Sequence, residues 1–257
     1  MSKLTKIGTK ICRKWAKIRL QPIRVFCFHQ VSEEYNPLTM WECDWTQIDQ
    51  FKRNILYLKE SGVEFVSLID AHKMLKQDWF RCKKIAVLTA DDGYKSLLNI
   101  LPWLEEQQIP ITLFVNSKYL DGQSWSAVNE EQAFRAKADV DMLKDVCPTL
   151  YLTKEELKQV AAMPNLTIGM HGHEHLDATK QTIEDFKANM ERWQKELKDV
   201  AHTIPYMAYT WGHHKVATDK ILQEMGIVPV LVQGHMNYNN SEYIDRIAID
   251  GKNESDF

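Results

Sequence analysis

The sequence predicts an α/β fold, a barrel built from about seven parallel β/α units. Three observations carry this reading. Short β-rich apolar runs alternate with amphipathic stretches of helical period along most of the chain. No internal repeat, low-complexity tract or linker divides them. The length of 257 residues suits a single α/β barrel, and about seven units favour a ring over an open sheet.

The chain opens with a segment of different character. Leu4, Ile7, Ile11, Trp15 and Ile18 recur at helical spacing among Lys3, Lys6, Lys10, Arg13, Lys14, Lys17 and Arg19, and no acid precedes Glu33. This predicts a basic amphipathic helix within residues 1–22, ahead of a barrel domain over 23–257. Its apolar face can pack on the barrel, or residues 1–19 can lie on an anionic membrane surface. Lysines interrupt it too often for a signal-peptide core or a membrane span.

The predicted strands are IRVFCF (23–28), EFVSL (64–68), IAVLTA (85–90), ITLFV (111–115), LTIGM (166–170), YMAY (206–209), VPVLVQ (228–233) and YIDRIAI (243–249). Each is short, rich in β-formers and bounded by turn residues. Between them, helical patterns run from Thr46 to Gly62, over KSLLNILPWLEEQQ with Pro102 as kink or boundary, and from Thr153, where Glu156 completes a capping box. Further helices are TIEDFKANMERWQKELKDVA, with Ile183, Phe186, Met190, Trp193 and Leu197 on one stripe, and TDKILQEMG, stopped by Gly226. The stretch 117–152 has no clean period and is expected to form a long insertion above the barrel.

Composition narrows the function. With 44% hydrophobic and 26% charged residues the chain is an ordinary globular protein, and a net charge of -3 gives no reason to expect nucleic acid as a partner. Cys12, Cys27, Cys43, Cys82 and Cys147 are scattered, odd in number and without a CxxC pair, which suits reduced thiols and a cytoplasmic location.

In β/α barrels reactive groups sit where strands end. One strand ends in Ala90-Asp91-Asp92-Gly93, and adjacent carboxylates there can divide labour, one binding a metal while the other accepts a proton. Asp-Gly is also a common turn pair. Another strand ends in HGHEH, crowding His171, His173, Glu174 and His175. Extended, the three histidines share a face; in a helix His171 and His175 would, but Gly172 and the preceding strand argue against a helix. Two imidazoles and one carboxylate leave open positions on a metal, as hydrolytic sites need.

These residues resemble a known family. LTADDGYKS is similar to the T-F-D-D-G motif of the polysaccharide deacetylases, the NodB-homology domain of carbohydrate esterase family 4. IGMHGHEHLDATK resembles its second motif, in which three residues separate two histidines, here His171 and His175. VFCFHQVSEE and MAYTWGHHKVATDKILQEMGI resemble segments of the exopolysaccharide-type branch. The resemblance runs from about Ile23 to Asp250 and implies a distorted (β/α)7-type barrel, NodB-homology fold. It implies a metal-dependent hydrolase that removes N-acetyl groups from amino sugars of a polysaccharide or of its lipid- or nucleotide-linked precursor. It further implies one divalent metal ion, Zn2+ before Co2+, Mn2+ or Ni2+, on Asp92, His171 and His175, with Asp91 as general base. His173 then fills a variable position, supporting the ligands or lying at the surface.

The chain departs from the family pattern in places. Ala90 replaces the usual Phe, and MAYTWG lacks the usual Arg and has Thr210 for proline. Arg246, expected with Tyr209 and Trp211 to bind substrate, could supply the charge. No Leu-x-His exists to provide the acid, for which His235 and His29 are the candidates. Tyr209, Trp211 and Trp125 could form a sugar-stacking wall, with a backbone N–H near Tyr209 at the oxyanion. Two other readings stand beside this one: a hydrolase of small-molecule C–N bonds, and a glycan- or metal-binding homologue without activity.

Overall fold

Seven parallel strands follow one another around a ring in the order Ile247–Ala248, Ile23–Phe28, Lys84–Ala90, Ile111–Val115, Leu166–Met170, Thr203–Ala208 and Val228–Val230. The computed structural model describes residues 21–35, 42–77, 82–121, 150–239 and 241–257. In chain order the strands are β1 (Ile23–Phe28), β2 (Gln30–Ser32), β3 (Trp45–Gln47), β4 (Val63–Phe65), β5 (Lys84–Ala90), β6 (Ile111–Val115), β7 (Leu166–Met170), β8 (Thr203–Ala208), β9 (Val228–Val230) and β10 (Ile247–Ala248). The short β4 pairs with the start of β5, and β2 pairs with β3 apart from the ring. A bridge from Val230 to Ile244 joins β9 to the segment leading into β10, which pairs with β1 and closes the circle. The ring is the distorted (β/α)7-type barrel the sequence predicts.

Strands covered on both sides must be apolar throughout, and in β5 only Lys84 is exposed. Alternation then sorts the side chains into two layers. Val25, Val87, Phe114, Ala208 and Val230 pack with Leu68, Ala71 and Leu75 in one cluster, the barrel interior. Phe26, Leu88, Leu113, Ile168 and Met207 pack with helix residues such as Phe51, Leu104, Phe186 and Trp193 in the outer layer. Cys27, Thr89 and Asp91 share the parity of Val25 and Val87, so the strand period itself aims Asp91 inward.

The helices are α1 (Ile48–Glu60), α2 (Leu68–Gln77), α3 (Leu101–Glu106), α4 (Lys154–Val160), α5 (Ile183–Leu197) and α6 (Val216–Glu224). The capping box holds: Thr153 Oγ1 accepts from Glu156 N at 3.2 Å and Glu156 Oε2 accepts from Thr153 N at 2.8 Å. In α5, Phe186, Met190, Trp193 and Leu197 are buried as their spacing requires.

Several boundaries differ from the sequence reading. Thr46 lies in β3, and Gln47 caps α1 by accepting from Gln50 N at 3.0 Å. The run EFVSL is a strand only to Phe65; Leu68 begins α2, a helix the sequence reading passed over. Ser67 makes the start, its Oγ accepting from Asp70 N at 3.1 Å. The last two runs are strands only at 228–230 and 247–248, since tertiary closure rather than β-propensity sets their ends. Pro102 falls in the first turn of α3, after a 3-10 helix over Lys95–Asn99, so it is a boundary and not a kink. The 117–152 stretch opens with a 3-10 helix (Ser117–Asp121) and returns beside the ADDG turn, where Leu152 N donates to Gly93 O at 2.9 Å. Residues 122–149, with Trp125, and the basic segment 1–20 lie outside the described residues.

One close approach makes a prediction. A Cβ at Gly169 would stand 2.4 Å from Phe114 Cε1. Gly169→Ala is expected to overpack β7 against β6 and to lower stability by about 1–3 kcal/mol. Urea unfolding reads this as a lower midpoint at unchanged slope; an unmoved midpoint would show that Phe114 can give way.

Candidate metal centre and its cleft

The ends of β5 and β7 build the centre. After Ala90 the backbone turns through two successive left-handed residues, Asp92 (φ 68°) and Gly93 (φ 75°). Aspartate is among the few residues that accept this conformation. The turn takes Asp92 off the alternation of β5, so the two neighbouring carboxylates part company. After Met170 the chain leaves the strand, with Gly172 left-handed at φ 82° and a bend at 173–174. Asn116 Nδ2 donates to His171 O at 2.5 Å, Ser117 N to Gly172 O at 3.3 Å and Lys118 N to His173 O at 3.0 Å. From α5, Asn189 Oδ1 accepts from His173 N at 2.8 Å.

These turns bring Asp92, His171 and His175 together. Both Nε2 atoms, of His171 and of His175, lie 3.2 Å from Asp92 Oδ1. Two ligand atoms sharing a tetrahedral cation at about 2.1 Å stand roughly 3.4 Å apart, so the separations fit one small divalent ion. The tautomer fits too: His171 Nδ1 donates to Ala208 O at 2.8 Å, leaving Nε2 its lone pair. His175 Nδ1 is buried without a partner among the described residues. Burial alone would raise the Asp92 carboxyl, yet His175 and His171 hold it well below the ordinary carboxylate value.

His173 does not join them. It is buried with Nδ1 2.8 Å from Ser117 Oγ, on the side of α5. Burial lowers its pKa, which keeps the ring neutral. Glu174 pairs with Lys118 at 2.7 Å.

Asp91 points inward to Arg246. The guanidinium grips it with two parallel bonds, Nη1 to Oδ1 at 2.6 Å and Nη2 to Oδ2 at 2.7 Å. Arg246 also donates from Nε to Leu231 O at 3.1 Å and from Nη1 to Thr89 Oγ1 at 3.1 Å. Burial opposes ionisation of Asp91, but Arg246 and then His171 outweigh it and hold the carboxyl below its ordinary value. Arg246 is 0% exposed, so its place is behind the base, and the expectation that it touches substrate is corrected.

The centre opens into a cleft of about 360 Å³ lined by His29, Asp44, Tyr94, Tyr209 and Trp211 among others. His29 Nδ1 lies 2.9 Å from Asp250 Oδ2, and its backbone N–H donates to Asp250 Oδ1 at 2.8 Å. Burial would lower the imidazole, but Asp250 raises it well above the ordinary value of 6.5. His235 is not among the cleft residues. Its side chain is 72% exposed and held by Asp245 at 2.8 Å, so of the two expected acids only His29 reaches the centre. Trp211, 46% exposed, sets its ring edge-on to His175 at 4.8 Å. Tyr209 is buried, with its hydroxyl donating to Asp219 Oδ1 at 2.8 Å and its N–H to Val230 O at 3.1 Å. It backs the cleft, and its own N–H is not free for an oxyanion.

Residues 81–230 match the polysaccharide deacetylase family, more than half of the chain. The chain belongs to the polysaccharide deacetylase family. Members are carbohydrate de-N-acetylases, and the family generally uses a divalent metal. Solved structures share the fold: IcaB from Ammonifex degensii has a TM-score of 0.72 at 20% identity, covering 91% of this chain and 94% of that one. The Streptococcus pyogenes deacetylase PplD, in complex with acetate, has 0.69 at 18% identity, over 90% and 93%. A de-N-acetylase from Aggregatibacter actinomycetemcomitans has 0.68 at 16%, over 90% and 95%. No curated protein sequence matches the chain.

In this deacetylase the sequence reading missed the supports more than the ligands. Asp250, Asp44 and Cys27 belong to the cleft or its wall; neither aspartate lies in a quoted motif, and Cys27, inside VFCFHQVSEE, is read there only as one of five scattered thiols. Asp250 follows the last apolar run by one residue, and a carboxylate at a strand end was the one signal that could have found it.

Proposed function

We propose that this deacetylase removes N-acetyl groups from amino sugars of a polysaccharide or of its lipid- or nucleotide-linked precursor, with a divalent ion, zinc first, on Asp92, His171 and His175. One observation carries the proposal: a carboxylate–bis-imidazole set and an arginine-gripped carboxylate occupy adjacent positions, 92 and 91, in one cleft. A divalent cation held there supplies Lewis acidity, polarising the acetyl carbonyl and making water a competent nucleophile near neutral pH.

The chain's own residues do the rest. Asp91 is kept ionised by Arg246, so it accepts a proton from the attacking water as general base. The two guanidinium bonds fix the carboxylate plane and hence the direction of that transfer. His29, held by Asp250 through Nδ1, presents Nε2 as the acid that protonates the departing amine. Trp211 offers an exposed apolar face at the rim for a sugar ring.

The experiment is acetate release from a panel of N-acetylated glycans and small N-acetyl compounds after metal analysis of the purified protein. Release from glycans alone supports the proposal. Turnover confined to small compounds would move the reading to a small-molecule C–N hydrolase, and metal without turnover to a binding homologue.

The His29 assignment predicts a pH profile. An acid with a raised pKa is active below that pKa, so kcat should hold through neutral pH and fall as pH rises through the raised His29 value. His29→Gln is expected to lose about 10²-fold or more in kcat together with this alkaline limb. A limb that persists in the variant would assign it elsewhere.

Contact of residues 1–19 with an anionic membrane at its cytoplasmic face belongs to the proposal. It is supported by the basic residues from Lys3 to Arg19 around a stripe that includes Trp15. Vesicle co-sedimentation should weaken with salt and with deletion of 1–19; insensitivity to both would remove it.

A further inference from the structure

Beside the Asp92 centre lies a second group of ligand atoms. Cys27, His29 and Asp91 each offer one, all within 4.8 Å of one another. Cys27 is 1% exposed on β1, and its Sγ donates to Asp91 Oδ2 at 3.6 Å. The proposed reaction gives this thiol no task.

From this cluster we infer a second, inhibitory cation site, selective for soft ions such as Cd2+ or excess Zn2+. The ligand types fit: a thiolate sulfur selects soft cations, and an imidazole suits the same ions. The His29 ring is already set for ligation. Its Nδ1 is engaged by Asp250, the carboxylate–histidine arrangement that aims Nε2 at a metal once the cation displaces the Nε2 proton. Asp91 is gripped by Arg246 on one side of each oxygen, and each keeps a further lone pair. Charge favours a cation as well. Asp250 touches His29 and Asp44 Oδ1 lies 4.0 Å from the same Nδ1, so with Asp91 three carboxylates stand around the cluster against the one guanidinium of Arg246.

Burial holds the Cys27 thiol well above its ordinary value, so the proton stays on sulfur until a cation takes its place. On binding, the S–H bond of Cys27 and the Nε2–H bond of the His29 imidazolium both give way to bonds to the cation, and the two protons leave to solvent. An ion so held ties up His29 and Asp91 together. The inhibition therefore rests on the acid and base roles proposed above; the binding does not.

The test separates the two. Protein loaded with one catalytic ion is titrated with Cd2+, following bound metal and the cadmium–thiolate absorption band. The unchanged chain is expected to take up about one equivalent more than Cys27→Ser, and the band difference should vanish in that variant. Cys27→Ser conserves volume in the strand, and Cys27→Ala serves as the second variant if serine proves unstable. Cys43→Ala should keep the extra equivalent, since Cys43 lines the cleft but lies outside the cluster. His175→Ala should lose the first ion and keep the band. Equal cadmium uptake by the unchanged chain and both Cys27 variants, or loss of the band in Cys43→Ala, overturns the site. Uptake without loss of acetate release leaves the site standing and counts against the His29 and Asp91 roles instead.

Discussion

Alanine at His175 is expected to abolish stoichiometric metal binding, while alanine at His173 leaves it in place. The two residues are two positions apart, and an extended segment would put both on one face, but the chain bends at 173–174 and their rings go to different sides. His175 Nε2 stands 3.2 Å from the Asp92 oxygen that His171 also approaches, and His173 turns to Ser117 behind the segment. Removing one of three protein ligands leaves two, too few to fix a catalytic divalent ion. Removing His173 leaves all three, at the expense of packing against α5. Metal content after dialysis, read with isothermal titration, checks this. Loss of metal from both variants with unchanged folding would mean that His173 sets the ligand loop as strongly as a ligand does. Retention in His175→Ala would mean that the ion sits elsewhere.

How far the site was legible follows from where its information resides. Asp92, His171 and His175 could be read because both motifs are short and local: strand, turn, ligand. The same locality gave the alternation of strands and helices, and it gave α5, whose buried stripe runs at strict helical period. The errors fall where distant segments decide. Strand β10 has two residues, and its length is set by what β1 and β9 leave unpaired. Helix α2 hides because Val66 and Leu68 continue the apolar run of β4, so its cap, Ser67, reads as one polar position of a strand. His235 was a fair candidate by position along the chain, but Asp245 holds it outside the cleft. Asp250 could not be paired with His29 from the sequence, since 221 residues separate them. Arg246 was reachable as the missing charge, although only the closed ring shows that it stands wholly behind the base.

Asp91→Asn is expected to keep its metal and to lose about 10²–10⁴-fold in kcat, the usual worth of general-base catalysis. The substitution conserves shape but removes the basic lone pairs, and it leaves Arg246 facing a neutral amide in a fully buried place. Stability should therefore fall as well, and the two effects must be parted. Arg246→Met supplies the partner. Leaving a buried carboxylate without its cation typically costs about 3–5 kcal/mol, and the freed Asp91 would titrate nearer the value burial imposes on it. The double variant Asp91→Asn with Arg246→Met has neither charge. It is expected to regain part of the lost stability, as buried pairs replaced together often do. Its kcat should stay as low as that of Asp91→Asn, because no base is restored. Arg246→Lys keeps a charge but not the two-pronged grip, so it should fold better than Arg246→Met and still turn over more slowly than the unchanged chain. Thermal unfolding and acetate release on the four proteins check the set. Full acetate release by Asp91→Asn would remove the residue from the chemistry. Recovery of kcat in the double variant would show that the loss in Asp91→Asn came from the stranded guanidinium, and the base would have to be sought elsewhere in the cleft.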